Sequence, residues 1–287
     1  MIAILGGLGA AVMWASANLI SSRSSRLIGA SSTLAWMMLV GLVMATPLAL
    51  ASGPLPPLTP ALSVWAAGSG LGTVIGLLFF YRGLRIGKVG VVAALGSTEG
   101  AIAAVLAVIA GERPNIPVVV MLCVITAGVA TVALASGDTA DPAGASAGHD
   151  ERRAVTFGVA AALCFGLSIY SIGQLAQSLP PFVALLPPRV LGVVGVCLPL
   201  AVTGRLRMTR RAAPMVVLIG VAEVLGNASY IVGARGSIAI AAVLASQYAA
   251  VAAVGAFFFF GERLSPPQRW GIVVIAVGIA VLTAVRG

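Results

Sequence analysis

The stretch IPVVVMLCVITAGVATVALAS, from Ile116 to Ser136, contains no charged residue. Apolar runs of similar length, each with at most one charge, occur near 2–21, 31–51, 61–81, 89–110, 115–136, 154–173, 182–203, 213–232, 238–260 and 268–285. A helix needs about 20 apolar residues to cross the hydrocarbon core of a bilayer. Lipid offers no partner to backbone polar groups, and these runs lack the short length and alternation of barrel strands. Each run therefore predicts a transmembrane helix. Composition agrees: 9% of residues are charged and 60% hydrophobic, against about a quarter charged in a soluble domain. The expected fold class is an all-α integral membrane protein with ten transmembrane helices.

The tripeptide Gly-Glu-Arg occurs at Gly111 and again at Gly261. The same offset of 150 places Gly70 on Gly220, Gly76 on Gly226, Gly83 on Gly233, Arg85 on Arg235, Pro117 on Pro267 and Gly128 on Gly278. The first spans align more weakly, with Trp14-Ala15 near Phe165-Gly166 at an offset of 151. The chain thus reads as two five-helix repeats, 1–136 and 154–287, joined by a polar linker over 137–153. Five is odd, so the second copy is expected to be inverted in the membrane, as in many secondary transporters. The linker holds His149, the only histidine, which reads as solvated rather than as a metal ligand. Gly111 and Gly261 suit the left-handed end of a helix, and Asn115 or Ser265 can cap the next helix, with Pro266 close to its first turn. Glu112 and Glu262 are expected beside the positive end of that next helix. The repeated tripeptide therefore reads as a tight interfacial turn.

A formal charge of +9 raises the question of nucleic acid, but the basic residues lie in short loops between spans and report orientation instead. Loops after the first, third, fifth, seventh and ninth runs hold thirteen Lys or Arg, whereas the other side holds Arg113, Arg235 and Arg286. That bias places both termini outside. The start, MIAILGG, lacks a basic leader region, so the first run is expected to be retained as a span. Cys123, Cys164 and Cys197 have no CxxC spacing and are expected to pack in the spans. One lysine against sixteen arginines, with abundant Ala, Gly and Val, suggests a GC-rich bacterial genome and a bacterial plasma membrane.

An ionisable residue inside a span is costly unless paired or wet, which makes Glu99, Arg189 and Glu223 functional candidates. Gly96, Gly100 and Ala104 share a stripe that lets a neighbouring helix approach the Glu99 segment. Glu223, Asn227 and Tyr230 make a polar ribbon along one helical face, expected to point inward. Their counterparts at offset 150 are Thr73, Leu77 and Phe80, and that of Glu99 is Ala249, so neither acid belongs to the repeated scaffold. Arg189 is read either as a structural partner of one of the acids or as an anion-binding group. Trp14, Asn18, Trp36, Ser97, Tyr170, Gln174, Gln247 and Tyr248 are further candidates to line a substrate cavity. Ser97 and Gln247 are counterparts, as a site on a pseudo-twofold axis would show. A buried carboxylate can carry a proton, so Glu99 and Glu223 are the candidates for coupling. The chain has no HExxH, no GxSxG and no Walker motif, and GSGLGTVIG reads as helix packing through Gly68, Gly72 and Gly76 rather than a dinucleotide loop. An enzyme is not expected, nor a metal or cofactor.

Two five-helix copies, each with an apolar run, GER, a proline and an apolar span with a central glycine, resemble the EamA-domain family of the drug/metabolite transporter superfamily. The resemblance covers nearly the whole chain. It is carried best by Gly261, Glu262, Arg263, Gln268, Gly271 and Gly278, and by Trp14 in the first span. Glu99 departs from it, lying near a position where the family tends to have proline or a small residue. The resemblance implies an exporter of amino acids or related metabolites working without ATP, or less often of drugs and organic cations. It also implies both termini in the cytoplasm, opposite to the charge bias. A lipid-carrier flippase is the other reading, and Arg189 is its only basic residue at membrane depth. The expected partners are a small-molecule substrate and membrane lipids, not nucleic acid, with the protein a monomer or homodimer.

Overall fold

The computed structural model describes residues 1–53, 57, 59–86, 89–137, 148–260 and 265–286. Within them the regular structure is helical. In chain order the helices are α1 (Ile2–Ile28), α2 (Ala30–Leu50), α3 (Pro60–Ile86), α4 (Val89–Gly96), α5 (Glu99–Ile109), α6 (Ile116–Gly137), α7 (Gly148–Ala176), α8 (Pro181–Ala184), α9 (Leu186–Gly192), α10 (Leu198–Val202), α11 (Ala213–Ala234), α12 (Ile238–Ala245), α13 (Tyr248–Phe260) and α14 (Pro266–Arg286). A π-helical turn, Val193–Cys197, joins α9 to α10. Among the described residues, eight helical stretches are long and apolar enough to cross a membrane, and the shorter apolar helices Glu99–Ile109 and Ile116–Thr131 accompany them. Helix α7 begins six residues before the expected span, and residues 138–147 of the polar linker lie outside the described set.

Three of the expected runs are not single helices. The 89–110 run breaks at Ser97-Thr98, where the Thr98 hydroxyl donates to the Leu95 carbonyl at 2.7 Å. The 238–260 run breaks at Ser246-Gln247, where the Ser246 hydroxyl and the Gln247 amide both donate to the Val243 carbonyl, at 2.8 and 2.9 Å. Side chains that bond nearby carbonyls offer the backbone an alternative to the helix. The two breaks lie within one residue of each other at offset 150. The 182–203 run is divided by a different cause: Pro187, Pro188 and Pro199 have no N–H to donate, and the π turn takes up the change in register.

Lipid tails are as apolar as leucine, so helices in a bilayer associate through close contact rather than through exclusion of water. Small residues supply that contact. A Cβ on Gly6 would stand 2.4 Å from the Gly233 Cα, so the backbones of α1 and α11 touch. On Gly72 it would meet the Cys164 carbonyl of α7 at 2.7 Å, and on Gly100 the Ala242 carbonyl of α12 at 2.4 Å. Gly68 and Gly76 also face α7, which agrees with the packing role expected for GSGLGTVIG. Of the cysteines, Cys197 is buried and Cys164 partly so, while Cys123 is exposed rather than packed.

The packing partners come in matched sets. Helix α1 packs on α11 as α7 packs on α3, α13 on α1 as α5 on α7, α12 on α1 as α4 on α7, and α2 on α11 as α9 on α3. Helix α6 packs on α14. Exchanging each helix for its counterpart turns every member of this set into another.

The first Gly-Glu-Arg turn takes the expected form at its glycine, Gly111, with φ of +111°. Its neighbours close a Schellman motif: the Gly111 N–H donates to Val108 O and the Glu112 N–H to Ala107 O. Asn115 caps α6 by accepting from the Val118 N–H at 3.3 Å. Glu112 corrects the expectation, because it sits on the start of α12 rather than α6. Its carboxylate accepts from the Ser237 hydroxyl at 3.0 Å, the Ile238 N–H at 2.7 Å and the Ala239 N–H at 3.2 Å. This joins the first copy to the second across 125 residues of chain. Glu262 and Arg263 lie outside the described residues; beyond them, Gln268 accepts from the Ser265 N–H at 2.7 Å, so the cap at α14 runs from glutamine back to serine. Replacing Glu112 with Ala leaves three donors of α12 without their acceptor, and each such loss costs about 1–3 kcal/mol. The variant is expected to melt well below the wild type in detergent, measured by thermal unfolding, with Glu112→Gln intermediate.

Candidate functional site

The matched helix pairs leave a cavity of about 1120 Å³ between them, bounded by α1, α2, α3, α7, α9, α11, α13 and the break between α4 and α5. Its mouth lies at the C-terminal end of α1, where Ser22, Arg23 and Arg26 line it and are exposed. This is the side of the arginine-rich loops. The other side is shut. There the Gly6–Gly233 contact and the Glu112 cap lie together with Arg235, which donates to the Ala176 carbonyl at 3.0 Å and the Leu179 carbonyl at 2.9 Å. The Gln177 amide closes the same end by donating to the Ala234 carbonyl at 2.9 Å.

Nine of the residues expected from the sequence line the cavity: Trp14, Asn18, Ser97, Glu99, Arg189, Glu223, Asn227, Tyr230 and Tyr248. Four, Trp36, Tyr170, Gln174 and Gln247, do not. The Trp36 indole donates to the Arg207 carbonyl at 3.0 Å, so it fastens α2 to the segment before α11. Tyr170 packs edge-on against Trp65 with ring centres 5.5 Å apart, and its hydroxyl accepts from Gln174 at 2.7 Å. Gln247 spends its amide on the break before α13.

The inward ribbon of α11 forms as its spacing predicts, and its acid is paired. Arg189 Nη2 donates to Glu223 Oε2 at 3.1 Å, and Asn227 Nδ2 donates to the same oxygen at 3.2 Å and to the Glu223 carbonyl at 2.8 Å. Tyr230, the third member, is fully buried and donates to the Ile169 carbonyl at 2.9 Å. Its ring lies 6.3 Å from that of Trp14, and Tyr248 meets Trp14 edge-on at 6.2 Å, so the cavity has an aromatic floor.

Glu99 is the first residue of α5 and is only 9% exposed. Among the described residues no cation pairs with it. The break at Ser97-Thr98 puts the carboxylate at the start of a half-helix inside the bundle.

Several cavity residues were not singled out from the sequence, among them Phe165, Ser168 and Tyr81. The offset carried a signal for more of the lining than was drawn from it. Thr73, Leu77 and Phe80, the counterparts of the α11 ribbon, all line the cavity, as do Ala249, opposite Glu99, and Phe165, opposite Trp14. On this wall Thr73 and Ser168 share a hydrogen bond of 2.8 Å, and the Ser168 hydroxyl lies 2.6 Å from the Ser69 carbonyl. Since Arg189 is buried and Glu223 is only partly exposed, a double-mutant cycle on Arg189→Gln and Glu223→Gln, read by unfolding free energy, is expected to give a coupling of about 1–3 kcal/mol.

No curated protein matches the chain with significance. A crystal structure of a protein aligns with 99% of this chain and 96% of its own, at a TM-score of 0.76 and 16% sequence identity, a likeness that shows the fold. The profile of the EamA-like transporter family matches residues 1–134 and again 152–284, one match to each of the two halves. A multi-pass helical bundle with a cavity closed at one end is the form such a chain takes here, and the protein belongs to the EamA-like transporter family of membrane transporters.

Proposed function

We propose that the protein is a secondary transporter that exports small metabolites such as amino acids from a bacterium across its plasma membrane, by alternating access and in exchange for protons. In this reading the ten apolar runs make ten spans, with α4–α5, α8–α10 and α12–α13 each crossing once. Residues 1–136 and 154–287 are the two inverted copies. The matched packing of α1 on α11 and of α7 on α3 supports this, because a bundle whose halves make equivalent contacts can exchange its open and closed ends by rocking one half on the other.

The observation that carries the reading is Glu99, with which no cation pairs among the described residues, in a cavity closed on one side. A carboxylate that holds either a proton or the ammonium group of a substrate, and not both, moves the two in opposite directions. Trp14, Tyr230 and Tyr248 provide faces on which the apolar part of a substrate packs, and a cation gains further from such rings. Those same features favour organic-cation efflux as the second reading. In proteoliposomes, Glu99→Gln is expected to lower uptake driven by a pH gradient at least tenfold, with the variant still folded by size exclusion. Undiminished pH-driven uptake by this variant would remove Glu99 from the coupling.

The mouth of the cavity lies on the arginine-rich side, which the charge bias assigns to the cytoplasm. This is the conformation an exporter loads from. A single cysteine at Ser22, in a chain without Cys123, Cys164 and Cys197, is expected to escape a membrane-impermeant thiol reagent in intact cells and to react in inverted vesicles. Labelling in intact cells would instead support the orientation implied by the family.

A further inference from the structure

Arg189 is 3% exposed, yet its donors are poorly met. A guanidinium has five N–H donors in a planar fork. Among the described residues, Nη2 bonds Glu223, Nη1 meets the Met38 sulfur at 3.5 Å, and the buried Nε has no acceptor. A buried cation is costly unless its donors are satisfied. The pair with Glu223 does not use the fork, since Arg189 and Asn227 converge on one carboxylate oxygen, whereas strong arginine–carboxylate contacts are often bidentate. Arg189 lines the cavity, so a ligand there can supply what Glu223 does not.

Its position suits such a role. Met38, which it touches, is its own counterpart at offset 151, so the two copies meet at this side chain. A group at that meeting point keeps its relation to both halves as they rock. The counterparts of Arg189 and Glu223 are Met38 and Thr73, so this ion pair is not part of the repeated scaffold.

We propose that Arg189 is the subsite for a carboxylate of the transported molecule, and that Glu223 is an internal occupant which the substrate carboxylate displaces. The inference rests on the transporter reading above and narrows it to substrates bearing a carboxylate as well as an amine. Asn227 retains the displaced Glu223 side chain through its own amide. Glu99 receives the ammonium end.

The test uses the full chain in detergent, with L-amino acids and their C-terminal amides as probes, read by melting temperature and by calorimetric titration. The acids are expected to bind and their amides to bind at least tenfold more weakly. Glu223→Gln, which removes the competing carboxylate, is expected to bind the same acid about tenfold more tightly, and Arg189→Gln at least tenfold more weakly. Equal binding of acid and amide overturns the assignment and leaves the transporter reading intact. Failure of every acid to bind both the wild type and Glu223→Gln also overturns it. In that case pH-driven flux of an amine lacking a carboxylate would keep transport standing, and absence of such flux would remove both.

Discussion

Everything in this bundle depends on helices touching backbone to backbone. A bilayer gives no reward for hiding leucine from lipid, so cohesion has to come from contact between chains, and contact is closest where no side chain intervenes. Gly6 against Gly233, Gly72 against Cys164 and Gly100 against Ala242 draw α1 to α11, α3 to α7 and α5 to α12. With those seams tight, the space that remains lies between the helix pairs and opens at the C-terminal end of α1. The aromatic floor of Trp14, Tyr230 and Tyr248 marks where the tight packing stops.

The charges follow the same division. Glu112 and Arg235 serve helix ends on the shut side, an acid at an N-terminus and a base at C-terminal carbonyls, which is the arrangement helix dipoles favour. In the cavity the acids are handled differently from each other. Glu223 is paired with Arg189 and steadied by Asn227, whereas Glu99 stands at the start of its own half-helix with no cation paired to it among the described residues. Two carboxylates in one space thus have unlike surroundings, the condition under which one is free for chemistry that the other is not.

Much of this was legible in the chain. Run length fixed where most helices lie, and α6 and α14 begin within two residues of their expected starts. Helical spacing brought Glu223, Asn227 and Tyr230 to one face, and the cost of burying charge singled out Glu99, Arg189 and Glu223, all three of which line the cavity. Hydropathy is blind to what happened at Ser97-Thr98 and Ser246-Gln247, because a hydroxyl that bonds its own helix scarcely alters the apolarity of a run. It is equally blind to partners far along the chain. Trp36 was read as a cavity residue because an indole inside a span is ambiguous until its partner, the Arg207 carbonyl, is known. Glu112 was assigned to the helix that follows it in sequence, whereas the N-terminus nearest in space belongs to α12.

That misassigned glutamate has a consequence for how fast the molecule can change shape. The shut side is fastened by the Glu112 carboxylate on three donors of α12, not by greasy contact alone. Parting that end exposes a charge and bare amides together, and neither tolerates a dry gap. In the alternating access proposed above, water must arrive as that seam opens, so hydration of a few polar groups, more than the sliding of apolar helices, sets the barrier to the proposed swing.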